Sequence, residues 1–203
     1  MKKNPINVFG DWALSGRDQK MAEGHTASVK AMLEWVTTDL KKFSFLDAGC
    51  GNGWVVRKIL DHLECYHAAG VDGSEHMIAK AKSIDPGGNY FCEDIRQWSP
   101  VKPFDVVHSM EVFYYVEQPD ALIQNIFNTW LNPGGRLVMG IDFYFENTSC
   151  HSWPEDCGVN IMQLYPQKKW IEFFSKAGFK KVSSRNIGAK ENWKGTLVVM
   201  GEK

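Results

Sequence analysis

Two aspartates and a run of glycines are the residues best suited to bind a ligand. Asp47 is followed by Gly49, Gly51 and Gly53 directly behind a short apolar run, and Asp72 ends the next apolar run. Glycine weakens a strand or helix interior by roughly 0.5–1 kcal/mol relative to alanine, so the cluster indicates a turn where a ligand approaches bare backbone. The N–H groups that begin the next helix would face that ligand. A short carboxylate such as Asp72 at a strand end can accept hydrogen bonds from both hydroxyls of a ribose.

The glycine spacing differs from that of a dinucleotide-binding loop. It reads D-x-G-x-G-x-G, and residues 54–57 supply no glycine where G-x-G-x-x-G requires one. A lone G-x-G is weak evidence, and Asp72 before Gly73 could simply form a turn. The strand–loop–helix context together with Asp72 makes the combination specific, and it argues against a nicotinamide oxidoreductase.

With these motifs the chain resembles the class I S-adenosylmethionine-dependent methyltransferases. The resemblance is specific over residues 45–145 and looser towards the C-terminus. Five segments carry it: LDAGCGNG (46–53), VDGS (71–74), CEDI (92–95), FDVVHSMEVFYYV (104–116) and LNPGGRLVM (131–139). The family implies S-adenosyl-L-methionine as cofactor and S-adenosyl-L-homocysteine as product.

The resemblance also implies where the cofactor lies. Its methionine portion would lie over the glycine loop, with Asp47 near its amino group, Asp72 on the ribose, and Ser109 and Met110 near the sulfonium. The loop residues implied are Gly49, Cys50, Gly51 and Gly53.

The adenine would lie beside the next two motifs. Gly73, Ser74 and Met77 would flank the ring. Asp94 would accept from its exocyclic amine, and Ile95 would donate its backbone N–H.

One position departs from the family pattern. Many small-molecule members have a histidine in E-V-L-x-H-V, whereas this chain reads EVFYYV with Tyr115 at that place. A histidine base is therefore not available there. A tyrosine hydroxyl can position a nucleophile, but it is a poor base at neutral pH.

Methyl transfer is an in-line displacement, so the enzyme must align the groups, exclude water and remove a proton where needed. We predict Tyr115, His151 and Glu111 as catalytic candidates, His151 because a histidine in a lid can act as a base. Two alternatives stay open: His151 could face solvent, and one of Glu111, Tyr114 and Tyr115 could only pack.

Further candidates come from segments able to reach the ligand-binding edge of the sheet. Trp12 could cover the cofactor and Arg17 could pair with a carboxylate. His25 could bind substrate or simply begin a helix. The predicted substrate-binding residues are His25, Tyr114, Tyr144 and Trp153. His108 is expected to be a core residue of the fourth strand.

No metal site is predicted. Cys150, His151 and Cys157 have irregular spacing and no fourth partner, unlike known zinc sites.

Alternating strands and helices must position these residues. The apolar pattern predicts a helix over 25–40, five strands between residues 43 and 145 with helices between them, a helix over 167–178 and two final, antiparallel strands. Continuous apolar strands are typical of a parallel sheet covered on both faces. We therefore predict an α/β fold: a Rossmann-like, doubly wound, mostly parallel seven-stranded sheet with an antiparallel edge strand and an N-terminal helical cap.

A single methyltransferase domain, residues 1–203, is expected. It comprises a cap (1–42), a cofactor-binding core (43–145), a substrate lid insertion (146–168) and a C-terminal helix with the final strands (169–203). The lid is expected because long irregular segments in compact domains tend to be functional. Its aromatic residues suggest a planar or apolar acceptor, or a cage around the sulfonium.

Composition limits the partners. The net charge of −1 disfavours nucleic acid, and the fourth motif is not the D/N-P-P-Y/F of enzymes that methylate nucleic-acid amines. The five cysteines, an odd number, favour a reducing compartment, and no signal peptide or membrane-length apolar run is found, so we expect a cytoplasmic protein without membrane contact.

The predicted function is methylation of a small organic molecule. A protein methyltransferase and a catalytically silent, cofactor-binding partner subunit remain alternatives. The sequence does not decide between a monomer and a homodimer.

Overall fold

The computed structural model describes residues 2–203 and contains one seven-stranded sheet. Its strand order is β3-β2-β1-β4-β5-β7-β6, in which β7 runs antiparallel to both of its neighbours and the other strands are parallel. The predicted fold class is confirmed, and the antiparallel strand lies next to the edge strand β6. The strands are β1 Phe43–Ala48, β2 Cys65–Asp72, β3 Asn89–Cys92, β4 Phe104–Met110, β5 Leu131–Ile141, β6 Lys180–Ile187 and β7 Thr196–Glu202.

Helices cover both faces of the sheet. One apolar layer contains side chains of α2, α3 and α4, and the other contains those of α5 and α7. None of the helices of residues 2–203 combines the length and apolar composition that a membrane crossing needs. The α-helices are α1 Pro5–Ser15, α2 Arg17–Val36, α3 Trp54–Ile59, α4 Glu75–Ile84, α5 Pro119–Asn125, α6 Trp153–Asp156 and α7 Gln167–Ala177.

The central strands are apolar along their whole length because both faces are covered. All six residues of β1 are buried, as are the last four before Asp72 in β2. This burial explains why these strands read as continuous apolar runs and not as alternating ones. Parallel pairing brings the carboxyl ends of β1, β2 and β4 to one edge of the sheet.

The N-terminal region differs from its sequence prediction. The helix predicted over 25–40 begins earlier, at Arg17, and ends at Val36, and α1 precedes it. Asn4 caps α1 by accepting from the Ile6 N–H, and Gly16, with φ +74°, separates the two helices in the left-handed conformation. The Asn-Pro start and the glycine that follows were signals for this helix, because proline favours a first turn and glycine favours a helix end.

The segment predicted as a lid is tied to the N-terminus. Residues 146–166 contain only a 3₁₀ turn (Thr148–Cys150) and α6. The Lys3 N–H donates to the Gly158 carbonyl (2.8 Å), and the Asn160 N–H donates to the Lys3 carbonyl (2.9 Å). These two hydrogen bonds therefore join the residues just before α1 to the part of the segment around Gly158.

Replacing Gly49 by alanine should destabilise the protein by about 2–4 kcal/mol. Gly49 has φ +83°, and an added Cβ would lie 2.2 Å from Val112 Cγ2, so left-handed strain and overpacking act together. Urea unfolding followed by circular dichroism measures the change.

The matched control is Gly87→Ala, because an added Cβ there has no heavy atom within 4 Å. It should change the free energy of unfolding by no more than about 0.5 kcal/mol. Equal stability of the two variants would contradict the geometry given for Gly49.

Candidate functional site

A cavity opens at the carboxyl ends of β1, β2 and β4. It is bounded by the loop after β1, the turn after β2, the segment after β3, the residues that follow β4, and one face each of α1 and α2. The strand order reverses between β1 and β4. Open α/β sheets bind their ligands at such a switch point.

The three loop glycines all have positive φ, but they do so for different reasons. An added Cβ at Gly49 would collide with Val112, and one at Gly53 would lie 2.5 Å from the Tyr90 ring. At Gly51, with φ +52°, the nearest atom is Met77 Sδ at 3.8 Å. Gly51 therefore presents bare backbone to the cavity, whereas Gly49 and Gly53 are required by the packing around the turn.

Asp72 joins the glycine loop to the start of α4. One of its carboxylate oxygens accepts from the Gly51 N–H (3.0 Å) and the other from the Ser74 N–H (2.8 Å). Burial raises the pKa of Asp72, and these two donors act in the opposite direction. Each oxygen retains a lone pair, so the carboxylate can still accept hydrogen bonds from a ligand.

Asp47 and His108 form a buried pair beneath the cavity. Asp47 Oδ1 lies 2.7 Å from His108 Nδ1, and the imidazole is fully buried in β4, as expected of a core residue. Its Nε2 has no hydrogen-bond partner among residues 2–203. The second oxygen of Asp47 takes no part in this pair, and Asp47 lines the cavity.

Asp94 is already engaged by a cation. The Arg96 guanidinium binds both carboxylate oxygens, and its hydrogen bonds lower the pKa of Asp94. Both side chains line the cavity. A ligand amine at this position would therefore share Asp94 with Arg96.

Three titratable side chains meet at the opposite end of the cavity, which His25 and Glu111 line, with Asp142 buried beside them. His25 of α2, Glu111 after β4 and Asp142 after β5 each place one nitrogen or oxygen atom within 4.8 Å of the other two. His25 Nδ1 lies 3.7 Å from Asp142 Oδ2. Parallel pairing of β4 with β5 puts Met110 beside Gly140 and so brings the two carboxylates together. We call these three residues the acidic cluster.

Glu111 is held in a strained conformation. Its φ is +60°, which is uncommon for a residue other than glycine. Its carboxylate accepts from the Asp142 N–H and from the Tyr114 hydroxyl (2.6 Å). Burial and the neighbouring Asp142 raise the pKa of Glu111 well above its ordinary value. Strain of this kind accumulates at functional sites.

Aromatic rings cover the cavity above the acidic cluster. Phe9 makes edge contacts with Trp12 (ring centroids 4.9 Å apart) and with Tyr115 (5.0 Å). The Arg17 guanidinium lies 4.0 Å from the Trp12 ring centroid. Phe9, Trp12 and Tyr115 are called the aromatic cover below.

Most of the predicted site residues line this one cavity. They come from six separate segments of the chain. They are Trp12, His25, Asp47, Gly49, Cys50, Gly51, Asp72, Gly73, Met77, Asp94, Ile95, Met110, Glu111 and Tyr115.

Four predicted cofactor residues support the cavity without lining it. Gly53 caps α3, and Ser74 caps α4 by accepting from the Met77 N–H (3.3 Å). The Ser109 hydroxyl donates to the Ala48 carbonyl (2.8 Å), and the Arg17 guanidinium stacks on the Trp12 ring.

Four predicted catalytic or substrate residues also lie outside the cavity. Tyr114 is buried against Glu111, and the Tyr144 hydroxyl donates to the Gly195 carbonyl (3.0 Å). Trp153 packs near Trp193. The structure does not bring His151 to the site: its Nε2 lies 3.1 Å from the Phe145 carbonyl oxygen.

The predicted lid therefore contributes less than expected. Of residues 146–168, only Ile161 lines the cavity, because the bonds to Lys3 turn this segment against α1. Helix α1 and its N-cap residue contribute more to the lining, with Asn4, Pro5, Ile6, Phe9 and Trp12.

Sequence reasoning missed two polar groups of the site. Asp142 follows β5, and the rule that ligands bind at carboxyl strand ends could have found it. Asp18 of α2 binds Asn52 Nδ2 and Lys80 Nζ, each at 2.7 Å, and so ties α2 to the glycine loop and α4. Its sequence neighbourhood gives no signal, because the contact joins distant segments.

A comparison with known protein families identifies the family of this chain. A family described as a methyltransferase domain matches residues 17–184, most of its length. The chain therefore belongs to the class I S-adenosylmethionine-dependent methyltransferases. S-adenosylmethionine is the cofactor expected for this family.

The curated relatives are methyltransferases with different acceptors. Malonyl-[acyl-carrier protein] O-methyltransferase 2 from Ilyobacter polytropus is 31% identical over 110 residues, covering 51% of this chain and 42% of the relative. A tRNA U34 carboxymethyltransferase from Aliivibrio fischeri is 30% identical over 158 residues, covering 74% and 46%. The chain thus spans about half the length of the curated relatives that it matches.

One solved structure is similar over the whole chain. It is the complex of the Haloferax volcanii methyltransferase activator Trm112 with a methyltransferase, at TM-score 0.83 and 23% identity, covering 100% of this chain and 99% of the other. At this identity the likeness shows the fold.

The raised pKa of Glu111 predicts a pH-dependent effect of Glu111→Gln. The folded protein holds the Glu111 proton more tightly than the unfolded chain, so the carboxyl group costs stability as the pH rises from its ordinary value of 4.5 towards its higher folded value. Relative to wild type, the variant should gain stability over that interval by at most about 1.4 kcal/mol per pH unit.

Urea unfolding at a series of pH values tests this expectation, and Glu23→Gln, on an exposed face of α2, is the control. Stability curves for wild type and Glu111→Gln that stay parallel from pH 4 to pH 8 would show that the Glu111 carboxyl group is not perturbed.

Proposed function

We propose that the protein transfers a methyl group from S-adenosylmethionine to a small organic acceptor. The proposal rests on three features found together at one cavity. They are a glycine loop that presents bare backbone, an Asp72 carboxylate that can accept further hydrogen bonds, and the acidic cluster at the far end. The first two features suit a nucleoside ligand, and the third suits an acceptor.

The residues present fit S-adenosylmethionine. Gly51 leaves room for the methionine portion, Asp47 has an oxygen for the amino group, and Asp72 has one lone pair on each oxygen for the ribose hydroxyls. Asp94 and Ile95 line the cavity where the adenine is expected. When bound, the cofactor supplies a methyl group activated by a positively charged sulfur.

The chain's own contribution is alignment and exclusion of water. The aromatic cover and Ile161 give the cavity an apolar lining, and excluding water from such a site strengthens the electrostatic interactions inside it. The Tyr115 hydroxyl can donate a hydrogen bond to an acceptor, and it stays protonated because burial raises the pKa of Tyr115.

The shape and the charge of the cavity favour a small acceptor over a nucleic acid. It is roofed by α1, and its walls carry more carboxylates than cations. Polyanions need a basic surface, whereas the chain has a net charge of −1. The five cysteines, all free, support action in a reducing compartment such as the cytoplasm.

Assay of S-adenosylhomocysteine formation tests this function. The protein is incubated with S-adenosylmethionine and a panel of small amines, alcohols, phenols and carboxylic acids, with total tRNA and a mixture of unfolded proteins as further acceptors. Turnover with a small molecule supports the proposal. Turnover only with tRNA or protein contradicts it, and cofactor binding without turnover on any acceptor indicates the silent partner subunit.

Asp72→Ala should weaken S-adenosylhomocysteine binding at least tenfold in calorimetric titration. The variant removes the ribose acceptor and frees the Gly51 N–H, and each lost hydrogen bond of this kind costs about 1–3 kcal/mol. Asp61→Ala, at an exposed turn after α3, is the control and should bind as wild type does. Unchanged affinity in Asp72→Ala would remove Asp72 from the cofactor site.

A second proposal is that the methyltransferase acts with a partner protein. The observation that favours it is the similarity to a chain solved with the activator Trm112. This chain also exposes apolar rings at the sheet edge, with Phe91 on β3 43% exposed and Tyr66 on β2 59% exposed. Co-expression with the Trm112-type protein of the same organism should yield a complex in size-exclusion chromatography, and two separate peaks would contradict this proposal.

A further inference from the structure

We propose that the methyl acceptor is a small amine, bound as an ammonium ion by Glu111 and Asp142, and that His25 removes its proton before transfer. The inference rests on the proposed methyltransferase function and names the substrate class of the same site. It is carried by the charges of the acidic cluster, by the aromatic cover and by the position of His25.

The acidic cluster has two carboxylates and no fixed cation. Among residues 2–203, no lysine or arginine pairs with Glu111 or Asp142, and His25 is the only ion-pair partner of Asp142. Burial raises the pKa of both carboxyl groups, although His25 and Thr196 oppose this for Asp142. Carboxylates out of water are costly unless a cation neutralises them.

One oxygen of the cluster lacks a hydrogen-bond donor, and its residue, Asp142, lies beside the cavity lining and not in it. Asp142 is 4% exposed, and its Oδ1 makes no hydrogen bond to any residue that the structure describes. A buried acceptor without a partner costs about 1–3 kcal/mol. An ammonium ion carries several N–H donors and a positive charge. It can therefore donate a hydrogen bond to Asp142 Oδ1 and also balance the negative charge of the two carboxylates.

The aromatic cover suits the same ligand. Phe9, Trp12 and Tyr115 line the cavity together with Glu111. Aromatic faces attract ammonium ions with about 0.5–2 kcal/mol, and they also attract the methylated product, which remains cationic. A carboxylate or phenolate acceptor would instead bring a negative charge beside Glu111 and Asp142 and oppose the ionisation of both groups.

His25 is placed to accept the proton. It lines the cavity, with Nδ1 3.7 Å from Asp142 Oδ2, so that the imidazolium formed would lie beside a carboxylate. Desolvation lowers the pKa of His25 and Asp142 raises it, with desolvation the larger effect, so burial favours the neutral ring. The titratable groups that face it are Asp142, after β5, and Glu111, after β4.

Methylation of the bound amine is a proton transfer followed by a displacement. The ammonium ion gives one proton to the free imidazole nitrogen of His25, leaving a lone pair on the amine. That pair forms the new N–C bond as the S–C bond of the methyl donor breaks, and the electrons of the broken bond stay on sulfur. The positive charge lost from sulfur appears on the methylated nitrogen, and His25 later releases its proton to solvent.

The binding test uses matched amine, alcohol and carboxylate probes. Phenethylamine, 2-phenylethanol and 3-phenylpropionate, and the corresponding short aliphatic triples, are titrated by calorimetry into the S-adenosylhomocysteine-saturated protein. We expect amines to bind at least tenfold more tightly than their matched alcohols and acids, and Glu111→Gln to abolish that preference. Equal or better binding of the acids, or no binding of any amine, overturns the proposal.

Two readouts separate the role of His25 from a structural one. In NMR titration of the imidazole groups, His25 should titrate below 6.5, and Asp142→Asn should lower its pKa further because a stabilising charge is lost. With an accepted amine, His25→Asn should reduce kcat about 100-fold while S-adenosylhomocysteine affinity stays within twofold. His67→Asn, at the amino end of β2, should match wild type, and retained turnover in His25→Asn would contradict the assignment.

Two controls keep the conclusions separate. If S-adenosylhomocysteine does not bind, the proposed function fails, whereas cofactor binding without amine binding removes this inference alone. Turnover lost in EDTA and restored by Mg²⁺ or Mn²⁺ would assign the acidic cluster to a metal ion and so overturn the amine proposal.

Discussion

The Asp72 carboxylate is the interaction on which the rest of the site depends. By accepting from Gly51 and Ser74 it joins two turns that follow different strands. Those turns are neighbours because β1 and β2 are paired in parallel. The same carboxylate that fixes the loop has lone pairs left, so in the proposed function one group sets both the geometry of the loop and the recognition of a ribose.

The two N-terminal helices pack against the turns at the edge of the sheet. Gly73 lies so close to Ile6 that an added Cβ would be 2.7 Å from its Cδ1, and Asp18 ties α2 to Asn52 in the glycine loop. Helices α1 and α2 therefore contact the turns after β1 and β2 directly. In the proposed function, the acidic cluster is the place where an acceptor meets the methyl donor.

Much of the fold was predictable because its signals are local. Continuous apolar strands, glycine after a strand, and Gly178 after α7 (φ +102°) each act within a few residues. The site was predictable where a family motif lies at a strand end, as for Asp47, Asp72 and Glu111. The cluster of His25 with Asp142 was not, because it joins α2 to β5 and depends on tertiary packing. His151 lies outside the cavity, in a segment that makes hydrogen bonds to Lys3, more than a hundred residues away, and such contacts between distant segments leave no local signal in the sequence.

Hydrogen–deuterium exchange with and without S-adenosylhomocysteine tests the central claim most directly. The account predicts slower exchange, on binding, in α1, in the glycine loop at 49–53, and in the turns at 72–77 and 94–96, with little change in β6 and β7. Binding that protects another surface, or that leaves the glycine loop and α1 unchanged, would contradict the account.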